Sequence, residues 1–415
     1  MPPHRAARAT FHGWRIAWAL AVTQTVGFGV LFYAFQVFTL PMEAELGLSR
    51  AQTSGAYSLA LLLSGLAAVP VGRWVDRRGA RLLMTVASLA GAGLLLAWSR
   101  VTGPAGLYLV QAGIGLVMSA VLYDVAFTVL AVWFRRRRLA ALLIVTLVAG
   151  LASTVFVPLS TWLVTWLGWR EALRVLALVV LGTMVPLHAL FLRDNPARLG
   201  VGPDGDPLEA SGSAPPEPSL DVGEALRSAA FWWLATAFTF DRVASVAMAA
   251  HAVPLLLERG HDPALVATVV GLVGLMQLGG RLLFAPAARG RDLASLTAVT
   301  FAARAAALLL LVLPLPAYGL VAFAVLFGAA NGAGTLARAA LVAERFGSRH
   351  YGAINGSMST LIALAQTVAP LSVGFLRVAT GDYAVALLVL AGTAVVAALA
   401  VLKARPPRQP AAAGA

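Results

Sequence analysis

The sequence predicts an all-α membrane protein, with twelve transmembrane helices arranged as two pseudo-symmetric six-helix bundles. Three observations carry this. Hydrophobic residues make up 60% of the 415, charged residues only 12%, and the mean hydropathy is +0.83, a composition that soluble domains do not reach. The apolar residues gather in twelve runs, most of them at or above the roughly 20 residues a helix needs to cross the hydrocarbon. The basic residues fall mainly on one side of those runs, as cytoplasmic loops require.

The first run, 14–38, follows the basic stretch MPPHRAARATFHGWR. No small-residue cleavage site comes after it, so it reads as a retained span and not a signal peptide. The next five are 52–74, 82–99, 105–133, 139–166 and 170–192. The last six are 229–257, 264–288, 293–313, 317–340, 350–377 and 383–402. Gly27 with Gly29 in the first span, and Gly150 with Pro158 in the fifth, read as bends. With the N-terminus inside, 22 of the 31 basic residues lie at cytoplasmic ends, among them Arg135 to Arg138 in one run. Six lie outside, and three (Arg242, Arg281, Arg304) fall within spans. Both termini are therefore expected in the cytoplasm of a cell (inner or plasma) membrane. The net charge of +13 is a topology signal, with anionic lipid headgroups and not nucleic acid as its partner. The thirty arginines against one lysine, with abundant alanine, fit a GC-rich prokaryotic genome.

Residues 193–228 differ in kind. Rich in Pro, Gly, Ser and acid, they cannot bury a core of their own and read as a cytoplasmic linker loop. It separates an N-terminal bundle (1–192) from a C-terminal bundle (229–404), and 405–415 reads as a disordered tail. The bundles echo one another. FTLPMEAELGLS (38–49) ends the first span and HAVPLLLERGHD (251–262) ends the seventh, with Pro, Glu and Gly at matching offsets. An internal repeat around a middle loop is a common plan for secondary transporters.

The chain has no cysteine, which excludes disulfides, thiolate metal sites and cysteine nucleophiles. Its six histidines lack any metal-ligand spacing, so neither metal nor cofactor is expected. The loop GRWVDRRGARLL (72–83) joins the second and third spans. Gly72 allows close helix approach, and Asp76 can accept hydrogen bonds from a neighbouring helix terminus. A plain positive-inside loop would explain the arginines but not the whole frame Gly72, Asp76, Arg77, Gly79, Arg81. That frame resembles the signature loop of the major facilitator superfamily, and the resemblance implies a gating role for these residues. The matching loop of the second half, GRLLFAPAARGRDL, lacks the acid. The resemblance covers nearly the whole chain. It narrows to the monocarboxylate-porter and oxalate/formate-antiporter branch on the opening GWRIAWALAVTQTVGFGVLFYAFQVFTLPMEAELGLSRAQ and on the segments beginning WFRRRRLAALL and ERFGSRHYGAINGS.

A charge inside a span costs about 2.5–3.5 kcal/mol on insertion scales, so it faces a cavity or a partner. Arg281 sits in GLMQLGGRLLF (274–284), eight residues or about 12 Å from Arg289 at the cytoplasmic end. Gln277 shares its face at i−4. A guanidinium beside an amide suits one carboxylate, which it can hold through two parallel bonds. The resemblance also implies this, since an arginine in the eighth span with an acid or amide at i−4 is the substrate position of the monocarboxylate branch. Three departures matter. The first span lacks that branch's lysine, Lys403 in the tail being the only one, and Gln277 stands where animal carriers have aspartate. The eleventh span offers Asn355, Gln366 and Thr367 where oxalate carriers place a second cation. One cation favours a monoanion. A structural pair or a snorkelled anchor remains the alternative for Arg281.

Asp241 in FTFDRVASV and Asp124 in VLYDVAF are the candidate proton carriers. The alternative for Asp241 is an ion pair with Arg242, Arg304 or Arg281 that holds helices together. Arg304 has no functional account and reads as structural. Gln24, Tyr33, Tyr123, Asn331 and Asn355 could line a central cavity, though each could equally bond a neighbouring helix.

The sequence thus reads as a secondary active transporter of a small monocarboxylate, lactate-like or pyruvate-like, coupled to a proton by alternating access and acting as a monomer. Its partners are a small organic anion, a proton and membrane lipids. One alternative keeps the fold but moves a drug, a sugar or another organic anion, with Arg281 structural. A membrane-bound transferase would need a clustered acid, base or metal set that no loop supplies. A transport-dead sensor would bind without flux.

Overall fold

The computed structural model describes residues 11–207 and 219–405. Among these there is no β-strand, only an isolated bridge between Val201 and Pro207. Helices are the outcome that lipid imposes, because a helix satisfies its own backbone N–H and C=O groups where no water can. Four apolar helical segments open the chain: α1 (His12–Leu46), α2 (Arg50–Arg78), α3 (Arg81–Trp98) and α4 (Pro104–Trp133). The next helical segment runs 54 residues, Arg138–Phe191, about 81 Å at 1.5 Å per residue and far beyond any bilayer. At Gly168 the backbone leaves helical space (φ 77°, ψ 161°), so the segment makes two spans, α5 (138–167) and α6 (169–191). The rest are α7 (Ala229–Glu258), α8 (Pro263–Ala287), α9 (Leu293–Leu310), α10 (Ala317–Phe346), α11 (Tyr351–Thr380) and α12 (Ala384–Lys403). Twelve spans result, as composition predicts.

The chain forms two compact units. One is Met1–Glu217 with Tyr351–Ala353, the other Pro218–His350 with Ile354–Ala415. In the first, Trp98 is fully buried, stacked on Phe35, edge-on to Phe38, and donating its Nε1–H to Met42 Sδ at 3.1 Å. In the second, Phe323, Phe327, Leu308 and Leu390 pack between the helices. Large apolar side chains such as Leu109, Trp166, Phe375 and Val378 are exposed, which suits a surface bathed in lipid rather than water.

The repeat is visible in the backbone. Gly47 and Gly260 both take left-handed φ, 62° and 79°, a conformation that glycine reaches without a Cβ penalty. Ser49 then caps α2 by accepting from Gln52 N, and Asp262 caps α8 by accepting from Ala264 and Leu265 N. Each unit carries a clasp between helix ends. Arg170 pairs with Glu45 and donates to the carbonyls of Ser99 and Val101. In the second unit Glu258 pairs with Arg377, while Arg259 donates to the carbonyl of Leu311. Between the two units the cation that closes the turn has moved from the α5–α6 turn to the end of the first helix.

Asp292 caps α9, accepting from the backbone N and the hydroxyl of Ser295. Those bonds, the hydroxyl's first, hold its carboxyl below the usual carboxylate range. A depressed folded-state pKa means the cap's contribution is complete above the unfolded value and is lost as pH falls through the folded one. Asp292→Ala should cost about 1 kcal/mol at pH 7 in thermal unfolding, and the difference from the parent should shrink on acidification; an equal deficit at both pH values would refute the charge assignment.

The first part of the linker takes a defined conformation. Residues 193–207 are ordered: Asn195 caps a short turn by accepting from Ala197 N, Pro196 is buried, and Asp204 takes main-chain bonds from Arg135, Arg136 and Arg137. Polar side chains here satisfy main-chain donors, a route to order that needs no apolar core. The main chain of the four-arginine run is thus a docking point. Residues 208–218, and all of the predicted tail except Arg405, lie outside the described residues.

Candidate functional site

Arg281 is buried, 6% exposed, and Gln277 is half-buried one turn before it on α8. Glycine decides how this helix sits. A Cβ on Gly280 would strike the carbonyl of Ala329, one on Gly328 the carbonyl of Val273, and one on Gly332 the carbonyl of Gln277. With hydrogen atoms there instead, α8 and α10 touch backbone to backbone. The depth and rotation of Gln277 and Arg281 are therefore set by a rigid surface.

The same unit gathers two predicted residues around one that sequence reading left without a role. Arg304 of α9 is wholly buried. Its Nε lies 2.9 Å from Asp241 Oδ1 of α7, an ion pair off the line of the N–H. Its Nη1 donates to Asn331 Oδ1 of α10 at 2.8 Å and to the hydroxyl of Ser245. Ser245 Oγ lies 2.7 Å from the same Asn331 oxygen, and the ring of Phe327 covers the guanidinium at 5.1 Å. Of the three ion-pair alternatives for Asp241, this is the one with Arg304. It also commits the Asn331 amide oxygen to a helix–helix bond. Each of these polar residues was visible in the sequence; their convergence was not.

In the first unit the site candidates cluster where helices are irregular. The α1 backbone widens to a π-helix over Phe28–Tyr33, beside the predicted Gly27–Gly29 bend, and Tyr33 closes it. The α4 helix breaks at Leu122 (φ −86°, ψ −166°) into Pro104–Val121 and Tyr123–Trp133. Gln24, wholly buried, donates its Nε2–H to the carbonyl of Val121 at 2.6 Å. Its Oε1 has no hydrogen-bond partner among the described residues. Tyr123 packs between Phe28 and Phe127, and Asp124 sits in the first turn of the lower half-helix. Asn355, on α11, belongs to the second unit and is buried, 1% exposed. Irregular backbone at this depth is tolerated only inside protein or along a cavity.

The signature loop is built from main-chain contacts. Asp76 accepts from the N–H groups of Gly352 and Ala353, each at 2.8 Å, filling the first turn of α11 with a carboxylate where the helix dipole favours one. Gly72 lets that turn approach, since a Cβ there would meet the Gly352 carbonyl. Gly79 turns the chain at φ 84°. Arg81 Nε donates to the Ala189 carbonyl at 2.8 Å, and Arg77 is exposed at the end of α2. Among the described residues no group of acids and histidines could hold a metal ion.

The sequence model of the Major Facilitator Superfamily matches residues 17–317. The chain belongs to that superfamily. As a major facilitator protein it is a multi-pass membrane transporter. Monocarboxylate transporter 13 from Bos taurus is 28% identical over 417 residues, covering 94% of this chain and 88% of that one. An uncharacterised 38 kDa protein encoded in the 23S RNA operon of Thermoproteus tenax is 27% identical, covering 94% and 95%. Among solved structures, the E. coli fucose:proton symporter FucP superposes with a TM-score of 0.68 at 13% identity, covering 95% of this chain and 97% of that one. A second structure, FucP in the outward conformation, gives the same score over 94% and 98%. At that identity the likeness concerns the fold alone.

Proposed function

We propose that this major facilitator carries a small monocarboxylate, of the lactate or pyruvate kind, together with a proton and by alternating access. The observation that supports this best is Arg281: a guanidinium buried within a span, on a helix seated by glycine contacts, with Gln277 one turn away. A planar fork with an amide beside it binds one carboxylate in a fixed orientation. The likeness to a monocarboxylate transporter points the same way. A single such cation fits a monoanion. Co-transport of a proton keeps the crossing nearly electroneutral and avoids moving bare charge through the barrier. Asp241 and Asp124 are the proton candidates, and the loop from Gly72 to Arg81 is the gate.

The test is radiolabelled lactate uptake into proteoliposomes under an imposed pH gradient. Arg281→Ala should lower uptake at least about thirtyfold, the low end of the ~2–5 kcal/mol lost when one member of a buried charge contact is truncated. Uptake indifferent to that change would remove the substrate assignment, and uptake indifferent to a protonophore would remove the proton.

A further inference from the structure

The turn that follows α6 holds the one non-glycine residue with positive φ among the described residues, Asp204 at 61°. Such strain persists only where the surroundings impose it. Here the imposing contact is plain. The Asp204 side chain is 2% exposed. Its Oδ2 accepts from Arg135 N at 3.1 Å and Arg136 N at 2.7 Å, and its Oδ1 from Arg137 N at 3.2 Å. Three consecutive N–H groups ahead of α5 thus close on one carboxylate, a cradle of the kind that binds anions. Asp206 adds an exposed ion pair with Arg136 at 2.6 Å. Gly205 rests on the ring of Phe11, which packs in turn against Trp133 and Phe134.

What the cradle anchors is the lower half of α4. Arg138, at the start of α5, donates back to the carbonyls of Phe134 and Ala131 at 2.9 and 3.1 Å, and Trp133 donates to the Arg193 carbonyl at 2.9 Å. The half-helix Tyr123–Trp133 is cut from the helix above it at Leu122. It is an 11-residue rod, about 16 Å long. Its inner end is held by the linker, and its far end carries Tyr123 and Asp124.

We propose that Asp204 is a positioning residue for transport: by filling the N–H cradle of Arg135–Arg137 it seats the half-helix Tyr123–Trp133 and so places Tyr123 and Asp124. This rests on the transport reading, but its test does not require flux. The native chain has no cysteine, so Tyr123→Cys supplies a sole thiol whose labelling by N-ethylmaleimide in membranes reports the far end of the rod. Asp204→Gly separates carboxylate from strain, because glycine accepts φ of 61° freely and only the anion is lost. It should change the labelling rate by about threefold or more, within the range of coupling effects carried between sites. Asp204→Asn, which tolerates the same φ and keeps one acceptor oxygen, should give a smaller change in the same direction, and it serves as the test variant if the glycine form fails to insert. Asp206→Asn should leave the rate at the parent's value. A parental rate in both Asp204 variants overturns the proposal even if thermal stability falls, because Asp204 would then support the fold alone. An equal shift from Asp206→Asn also overturns it, because the loop and not the carboxylate would set the seat. Failure of the parent protein to transport lactate would leave these labelling results intact.

Discussion

Replacing Arg304 with methionine is expected to destabilise the protein by about 3–5 kcal/mol, because it strands the Asp241 carboxylate in a buried site. Methionine is long enough to fill much of the space beside Phe327, so the loss is one of charge compensation and not chiefly of volume. Asp241→Leu should cost a comparable amount, leaving a wholly buried guanidinium with only neutral oxygens at Nη1, those of Asn331, Ser245 and the main chain of position 241. The double replacement Asp241→Leu, Arg304→Met should recover most of the loss. The network is incomplete, since Arg304 Nη2 has no hydrogen-bond partner among the described residues, and a half-satisfied polar core gains little over an apolar one. Denaturant unfolding of the four proteins in one detergent measures this as a double-mutant cycle. Additive losses in the cycle would mean that the pair carries no coupling. If the double variant is stable yet no longer accumulates lactate against its gradient, the pair serves transport at the expense of stability.

The second large effect concerns the contact between α8 and α10. Gly332→Val should destabilise by about 1–3 kcal/mol, the usual range for forcing bulk into a packed interior, because the added carbons meet the carbonyl of Gln277. A backbone carbonyl cannot swing aside as a side-chain end can, so the helices must separate. Gln277 and Arg281 would move with α8, and lactate uptake should fall together with stability. The control lies on the partner helix, α8. Gly274 has no heavy atom within 4 Å of its would-be Cβ, and Gly274→Ala should be neutral or stabilising by up to about 1 kcal/mol through helix propensity. Equal effects at the two sites in thermal unfolding would show that close approach is not what glycine supplies at 332.

Much of the fold was legible in the chain, and for a simple reason. Transfer from water to lipid is nearly additive over residues, so run length and composition locate spans without knowledge of neighbours. Local backbone signals were equally readable: the bend beside Gly27 and Gly29 is a π-helix, and Gly150 interrupts α5. Arg281 declared itself by its cost. The break at Leu122 did not, because MSAVLYDVAF holds neither Gly nor Pro. Beside it Gln24, 97 positions away in sequence, supplies a donor to the Val121 carbonyl.

By itself the sequence determined the number of helices, the repeat that relates the two halves, and the presence of a costly cation in α8. Only the tertiary structure decided which acid faces Arg304, that Asn331 gives its oxygen to that guanidinium, and that Asp204 of an apparently featureless loop closes the head of α5. The first set depends on each residue's affinity for water or lipid, which is written locally. The second depends on how far each helix is rotated and sunk against its neighbours, and that is settled by contacts such as those of Gly280 and Gly332, whose partners lie dozens of residues away.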